Sequence, residues 1–110
     1  MIKLKSLLTE SWEVVVGFIG MDGRIDSKET KSTHIECGFN RGKCWRYNPY
    51  NHNVYWSGDD SEHDKDDEFT VENHLLKKYG YSKISSHIPL ESGDPDEFQN
   101  NWMIAHGHKI

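Results

Sequence analysis

The stretch CWRYNPYNHNVYWSG most constrains the fold, because two aromatic runs flank a polar segment with turn character. Proline and asparagine are typical turn residues, so the chain should reverse between the two runs. If this loop closes symmetrically over residues 48–53, Trp45 lies opposite Trp56 and Tyr47 opposite Val54. Side chains alternate along a strand, so these four should share one face of a β-hairpin.

The aromatic rings of this hairpin allow two interpretations. They could form a stacking platform for bases, sugars or a peptide, or they could be the core beneath the helices. The core is favoured, because buried aromatic side chains stabilise a small domain strongly. Arg46 and Tyr55, on the other face beside Cys44, are then predicted to be surface residues. Tyr50 and His52 are predicted to be exposed at the loop tip, where they could bind a partner.

The residues before the hairpin predict two further strands. Residues 13–20 are rich in β-branched side chains and form the best strand of the chain. Asp22-Gly23 follows and is typical of a two-residue hairpin turn of type I′, which needs positive φ at both positions. A polar strand should therefore return over residues 24–30.

Two helices should follow. The first is predicted at about 61–79, with Ser61 as N-cap, Asp64 as the acidic arm of a capping box and Gly80 after its end. The second is predicted at about 95–106, with Asp94 as its cap and Pro95 in its first turn. The first helix should present Phe69, Leu75, Leu76 and Tyr79 as an apolar stripe, and a short strand could lie between the helices at 83–90.

Strands followed by helices indicate an α+β fold. We expect an antiparallel meander of four to five strands, at about residues 12–57, packed on one face by the two C-terminal helices. The 110 residues are enough for one domain with a single modest core. Residues 1–10 would form either a leader or a first short element.

Charge and composition narrow the classes of partner. The formal net charge is −5, which argues against a general nucleic-acid binder, because phosphate contacts need clustered Lys and Arg. No apolar run approaches the ~20 residues of a membrane span. The start of the chain has no long apolar segment of a secretory signal, and the chain has two cysteines. A reducing cytoplasm is therefore the expected location.

The densest charge is acidic and lies between Asp59 and Glu68. It includes Asp64, Asp66 and Asp67 and does not match an EF-hand loop, since Lys65 stands where that loop requires glycine. Acidic residues at a helix start suit the helix dipole, which is the favoured interpretation. The same segment could also dock a basic protein partner.

Cysteine and histidine are the candidate metal ligands. A zinc site built from Cys37, Cys44, His106 and His108 requires the fold to gather them, because their spacing matches no zinc-finger or ribbon motif. Cys37 and Cys44 could instead face each other across a turn, as a disulfide or, more in keeping with a cytoplasmic protein, as two reduced thiols. The remaining histidines are expected to be scattered over the surface. Zinc is the one cofactor considered.

The sequence has no Walker loop, nucleophile elbow or dinucleotide fingerprint, which favours a protein that is not an enzyme.

The start of the chain, MIKLKSLLTE followed by Ser11, resembles the capsid-targeting leaders of internal proteins in T4-like tailed phages. Such leaders end in a hydrophobic residue, a variable residue and Glu, after which the prohead protease cuts. Leu8, Glu10 and Ser11 match that pattern, and the body is similar to small uncharacterised proteins of such phages. The resemblance implies virion association, and otherwise the segment is an ordinary N-terminal strand or helical turn.

The resulting functional expectation is a small non-enzymatic binding or accessory protein that contacts a protein partner or a second copy of itself, with a possible phage origin. Its contacts would run through Tyr50 and His52, or through the acidic segment. The alternative is a zinc-binding domain or metal-dependent enzyme that uses the Cys and His residues named above.

Overall fold

A five-stranded sheet with the order β2-β1-β3-β4-β5 forms the centre of the computed structural model, which describes residues 13–31, 42–57, 63–90 and 94–105. In chain order the elements are β1 (Val14–Ile19), β2 (Ile25–Thr30), β3 (Lys43–Asn48), β4 (Asn53–Ser57), α1 (Lys65–Tyr79), β5 (Ser86–Pro89) and α2 (Pro95–Ala105). The predicted α+β class is confirmed. No helix in these described ranges is long and apolar enough to cross a membrane.

The sheet is mixed, and its strand order is not that of a simple meander. The first four strands pair antiparallel, but β3 lies beside β1 and not beside β2. The fifth strand runs parallel to β4. A parallel pair needs a long crossover connection, and α1 supplies it here.

The turn between β1 and β2 is not of the predicted type. Gly23 has a φ of +86°, but Asp22 is not among the non-glycine residues with positive φ. The Gly23 amide donates to Gly20 O at 2.9 Å, and the Gly20 amide donates to Arg24 O at 2.8 Å. This is a three-residue hairpin loop with a left-handed glycine at its end, so Gly23 alone carries the strained conformation.

The central hairpin has the predicted register. Trp45 pairs with Trp56 and Tyr47 with Val54, and these four side chains are at most 1% exposed. They pack with Val71 and Leu75 of α1 in the main core. The interpretation of the Trp rings as core is therefore confirmed.

The opposite face of the hairpin is also buried, so the prediction that Arg46 and Tyr55 lie on the surface is wrong. Arg46 is 4% exposed and Tyr55 1%. Tyr55 packs with Leu90 and with Ala105 of α2. The two helices thus cover opposite faces of the sheet, and both faces of β3 and β4 are enclosed.

Helix α1 begins one turn later than predicted. Asp64 is the N-cap, and its carboxylate accepts from the Asp67 amide at 2.8 Å while the Asp67 carboxylate accepts from the Asp64 amide at 3.1 Å. Ser61 lies outside the described residues. The helix ends at Gly80 in the left-handed conformation, as predicted.

The apolar stripe of α1 differs from the prediction. Leu75 is buried as expected, but Phe69 is 65% exposed and Leu76 is 49% exposed. Val71, four residues before Leu75, takes the second buried position, because residues four apart lie on the same helix face. The helix therefore faces the sheet with a narrow apolar stripe and with polar side chains on either side of it.

Candidate functional site

The acidic residues singled out in the sequence organise the start of α1. Asp64 and Asp67 form the capping box, and Asp67 also accepts from Lys43 Nζ at 2.5 Å. Partial burial alone would raise the pKa of Asp67, but the hydrogen bonds from Lys43 and from the Asp64 backbone lower it below its ordinary value. Asp66 is exposed. The two acidic residues with hydrogen-bond partners, Asp64 and Asp67, therefore stabilise the start of the helix.

The loop between β3 and β4 exposes one of its two predicted rings. Tyr50 is 59% exposed. His52 is only partly exposed, with a φ of +67°, and its Nδ1 lies 3.2 Å from Tyr47 Oη. The loop is held by the His52 amide, which donates to Asn48 O at 2.7 Å. Tyr50 is thus a side chain presented on a well-braced turn.

Cys44 does not supply a free thiol. Cys44 is disulfide-bonded, and Cys37 is the only other cysteine in the sequence. The expectation of two reduced thiols is therefore wrong, and a disulfide sulfur is not the thiolate that zinc binds. Other predicted site residues lie outside the described ranges: Cys37, His106, His108, Leu8, Glu10 and Ser11.

A cluster that the sequence did not predict lies where the start of α1 meets β5. His63 precedes the helix, Glu68 lies in its first turns, and His87 lies on the edge strand. One ligand atom from each of the three lies within 4.8 Å of the other two. His63 Nε2 is 2.9 Å from Glu68 Oε2. The side chains are 10%, 21% and 7% exposed, in that order, so the cluster is largely shielded from solvent.

The indole of Trp56 forms the floor of this cluster. The His63 ring stacks on it with a centroid separation of 4.5 Å and an interplanar angle of 10°. Trp56 Nε1 donates to His87 Nδ1 at 3.1 Å. An indole nitrogen only donates, so His87 Nδ1 must be the unprotonated nitrogen. His87 Nε2 then carries the proton and donates to Glu72 Oε2 at 2.9 Å.

Sequence reasoning missed the cluster because His87 is distant in the sequence from His63 and Glu68, and their meeting depends on β5. His87 reaches the indole face because β5 pairs parallel with β4, with Val54 opposite His87. The available signal was the spacing of Glu68 and Glu72, which places both carboxylates on one helix face. That signal does not indicate which histidines face them.

Comparison of the chain with protein-family models, curated proteins and solved structures gave no match in any of the three.

Proposed function

We propose that the protein is a metal-binding domain that holds a divalent transition-metal ion, with zinc as the best fit, between His63, Glu68 and His87. The observation that carries the proposal is the convergence, within 4.8 Å, of an imidazole and a carboxylate from the start of α1 with an imidazole from β5. Imidazole ligands favour zinc and its neighbours over magnesium and calcium, which prefer oxygen ligands.

The distances in the cluster suit a tetrahedral ion after small side-chain movements. Zinc binds His nitrogen and carboxylate oxygen at about 2.0–2.2 Å, which places two tetrahedral ligands roughly 3.3 Å apart. His63 Nε2 and Glu68 Oε2 are now 2.9 Å apart, and the remaining ligand pairs lie within 4.8 Å. Three protein ligands leave a fourth position, for which the neighbouring Glu72 or a water could serve.

Binding through His87 Nε2 has an identifiable cost. A neutral imidazole that binds metal through Nε2 carries its proton on Nδ1, so the hydrogen bond from Trp56 must be lost. Such a bond contributes about 1 kcal/mol, or up to about 3 kcal/mol if the buried indole N–H stays unpaired. This cost is small beside the roughly 8 kcal/mol to which a micromolar affinity corresponds.

Zinc titration of the purified protein tests the proposal. We expect one equivalent of zinc to bind in calorimetry and to raise the melting temperature, since an ion that binds only the folded state stabilises it. Glu68→Gln keeps the shape of the side chain but removes the charged ligand, and it should weaken zinc binding by tenfold or more. Glu97→Gln, at an exposed position in α2, is the matched control and should bind zinc as the original protein does.

Two results would contradict the proposal. One is an unchanged melting temperature at a large zinc excess. The other is equal zinc affinity in the Glu68 and Glu97 variants.

A second candidate function, contact with a protein partner or a second copy of the chain, is supported by Tyr50. Its ring is 59% exposed at the end of the aromatic hairpin, and tyrosine is among the residues that dominate protein interfaces. Sedimentation velocity over a range of concentrations tests self-association. Association that persists unchanged in Tyr50→Ser would remove this loop as the contact.

A further inference from the structure

Away from the histidine and carboxylate cluster, a serine, a histidine and a tyrosine meet between the edge strand β2 and the C-terminal half of α1. Ser27 Oγ lies 2.6 Å from His74 Nε2 and 2.8 Å from Tyr79 Oη. Lys78 Nζ donates to the Ser27 carbonyl at 2.8 Å. A hydroxyl within hydrogen-bond reach of an imidazole nitrogen is the arrangement of an activated nucleophile and its general base.

The protons of this group can be placed so that the serine is reactive. If Tyr79 donates to Ser27 Oγ, the Ser27 hydroxyl is free to donate to His74 Nε2, and both hydrogen bonds are satisfied. Burial, and then the nearby charge of Lys78, lower the pKa of His74 below its ordinary 6.5, while Asp26 partly opposes them. The imidazole is therefore neutral at pH 7, as a general base must be.

A buried donor lies in the same row of the sheet. Ser27 pairs with Gly17 across β2 and β1, and Gly17 pairs with Trp45 across β1 and β3. The Trp45 indole lies over Gly17 and packs edge-on against His74, with ring centroids 6.0 Å apart. Trp45 is 0% exposed, and its Nε1 has no hydrogen-bond partner among the described residues. A buried N–H of this kind is a ready donor for an oxygen atom that enters the site.

An open groove of about 430 Å³ adjoins His74 and supplies room for a ligand. Its lining is Ile25, Thr70, Asn73, His74, Lys77 and Lys78. Two of these are cations, two are uncharged hydrogen-bonding side chains, and this lining includes no carboxylate. In a chain whose net charge is −5, a carboxylate-free groove with two lysines favours an anionic ligand.

We propose that Ser27 is a nucleophile activated by His74, and that it accepts an acyl group from a small anionic ester bound in the groove. Ser27 Oγ forms a bond to the carbonyl carbon as its proton passes to His74 Nε2. The ester C–O bond then breaks, and His74 returns the proton to the departing alcohol. Water attacks the acyl-serine in the same way, releases the acid and restores Ser27. No metal takes part, so the proposal is independent of the zinc site.

Phosphonylation tests the nucleophile directly. A fluorophosphonate forms an Oγ–P bond with an activated serine and releases fluoride, so intact mass and peptide mapping show whether Ser27 is modified. We expect one adduct, mapped to Ser27, on the full-length protein. Ser27→Ala should abolish it, and His74→Gln should slow it at least a hundredfold, the lower end of the range for general-base catalysis. Tyr79→Phe keeps both reacting groups and should still be labelled.

The outcomes are decisive without the alanine variant, should that variant fail to fold. An unlabelled original protein overturns the proposal, as does an adduct that maps to a tyrosine or a lysine. Equal labelling rates in the original protein and in His74→Gln overturn the role of His74.

Ester hydrolysis tests the preference for negative charge. The protein should hydrolyse 4-nitrophenyl hemisuccinate with a higher kcat/KM than 4-nitrophenyl acetate, relative to the uncatalysed rates. Lys77→Ala should reduce that preference by up to about fivefold, the effect of one exposed ion pair. Lys83→Ala, an exposed lysine outside the groove, is the matched control and should leave the preference unchanged. A preference for the neutral ester, or one that Lys77→Ala does not alter, overturns the choice of an anionic substrate.

Discussion

Replacement of Gly17 by alanine should destabilise the protein strongly, although this glycine is not among those with positive φ. A Cβ atom there would lie 2.5 Å from Asp26 O and 2.7 Å from Trp45 Cε2, and closer still to Trp45 Cζ2. Carbon atoms pack at about 3.5–4.0 Å, so the neighbours would have to move by roughly 1 Å. Neither moves easily, because one is backbone and the other is a fully buried indole.

The expected cost follows from this crowding. Overpacking a well-packed core costs about 1–3 kcal/mol, and two immobile neighbours place Gly17→Ala at about 2–3 kcal/mol. A chain of this size loses roughly 4 °C of Tm per kcal/mol, so the Tm should fall by about 8–12 °C. Gly23→Ala is the matched comparison, because its Cβ would meet nothing within 4 Å although φ is +86°. Its cost is that of the left-handed conformation, about 1 kcal/mol.

Urea unfolding measures the difference in the free energy of unfolding between the two variants, provided that their m-values are equal. The reasoning is refuted if Gly17→Ala is no less stable than Gly23→Ala. A second check is the pair Gly17→Ala and Trp45→Phe in one chain, since the smaller ring removes the contact with the indole. The double variant should lose less stability than the sum of the losses in the two single variants. The rescue should be partial, because the contact with Asp26 O remains.

Three further predictions concern the capping box, the buried asparagine and the proposed metal site. Asp67→Asn should lower the free energy of unfolding by about 1–2 kcal/mol at pH 7, and the exposed Asp66→Asn by much less. Because the folded-state pKa of Asp67 is lowered, the stability that its carboxylate contributes is complete above pH 3.8 and is lost as the pH falls further. Urea unfolding at pH 3 should therefore show a smaller difference between Asp67→Asn and the original protein. Asn48→Ala should cost about 2–3 kcal/mol and speed amide exchange in α2, since the Asn48 side-chain amide is 0% exposed and donates to Ile104 O of that helix. Unchanged amide exchange in α2 would refute the role of this hydrogen bond. Zinc should shift the Trp56 indole N–H signal in NMR, because His87 Nδ1 ceases to accept from it, and an unmoved signal with zinc bound would exclude ligation through His87 Nε2.

The central hairpin was predictable from the sequence because its signals are local. A turn between two alternating runs fixes the register, and the pairing of Trp45 with Trp56 follows from the loop length alone. The burial of Arg46 and Tyr55 was not predictable in this way. Alternation identifies two faces, but it does not reveal that a second helix covers the polar one. Burial lowers the pKa of Arg46 to about 10, a consequence of enclosing both faces.

The candidate sites depend on contacts that no local pattern contains. The pairing of Ser27 with His74 requires β2 to lie at the edge of the sheet beneath the second half of α1. The position of His87 requires a parallel fifth strand, which is set by the crossover through α1. Ser27 and His74 are 47 positions apart, and His87 is 19 positions beyond Glu68, so each meeting is a property of the topology.

The paired indoles connect the two sites. Trp45 and Trp56 are cross-strand neighbours on the face that α1 covers, and each packs against a different histidine: His74 beside Trp45, and His63 stacked on Trp56. A fully buried indole is a rigid surface, and it fixes the position of the polar side chains that pack against it. The same rings are therefore both the core of the domain and the walls of its two polar sites. A change that moves one indole should disturb the site next to it first, so Gly17→Ala should perturb the Ser27 site and leave the proposed zinc ligands in place.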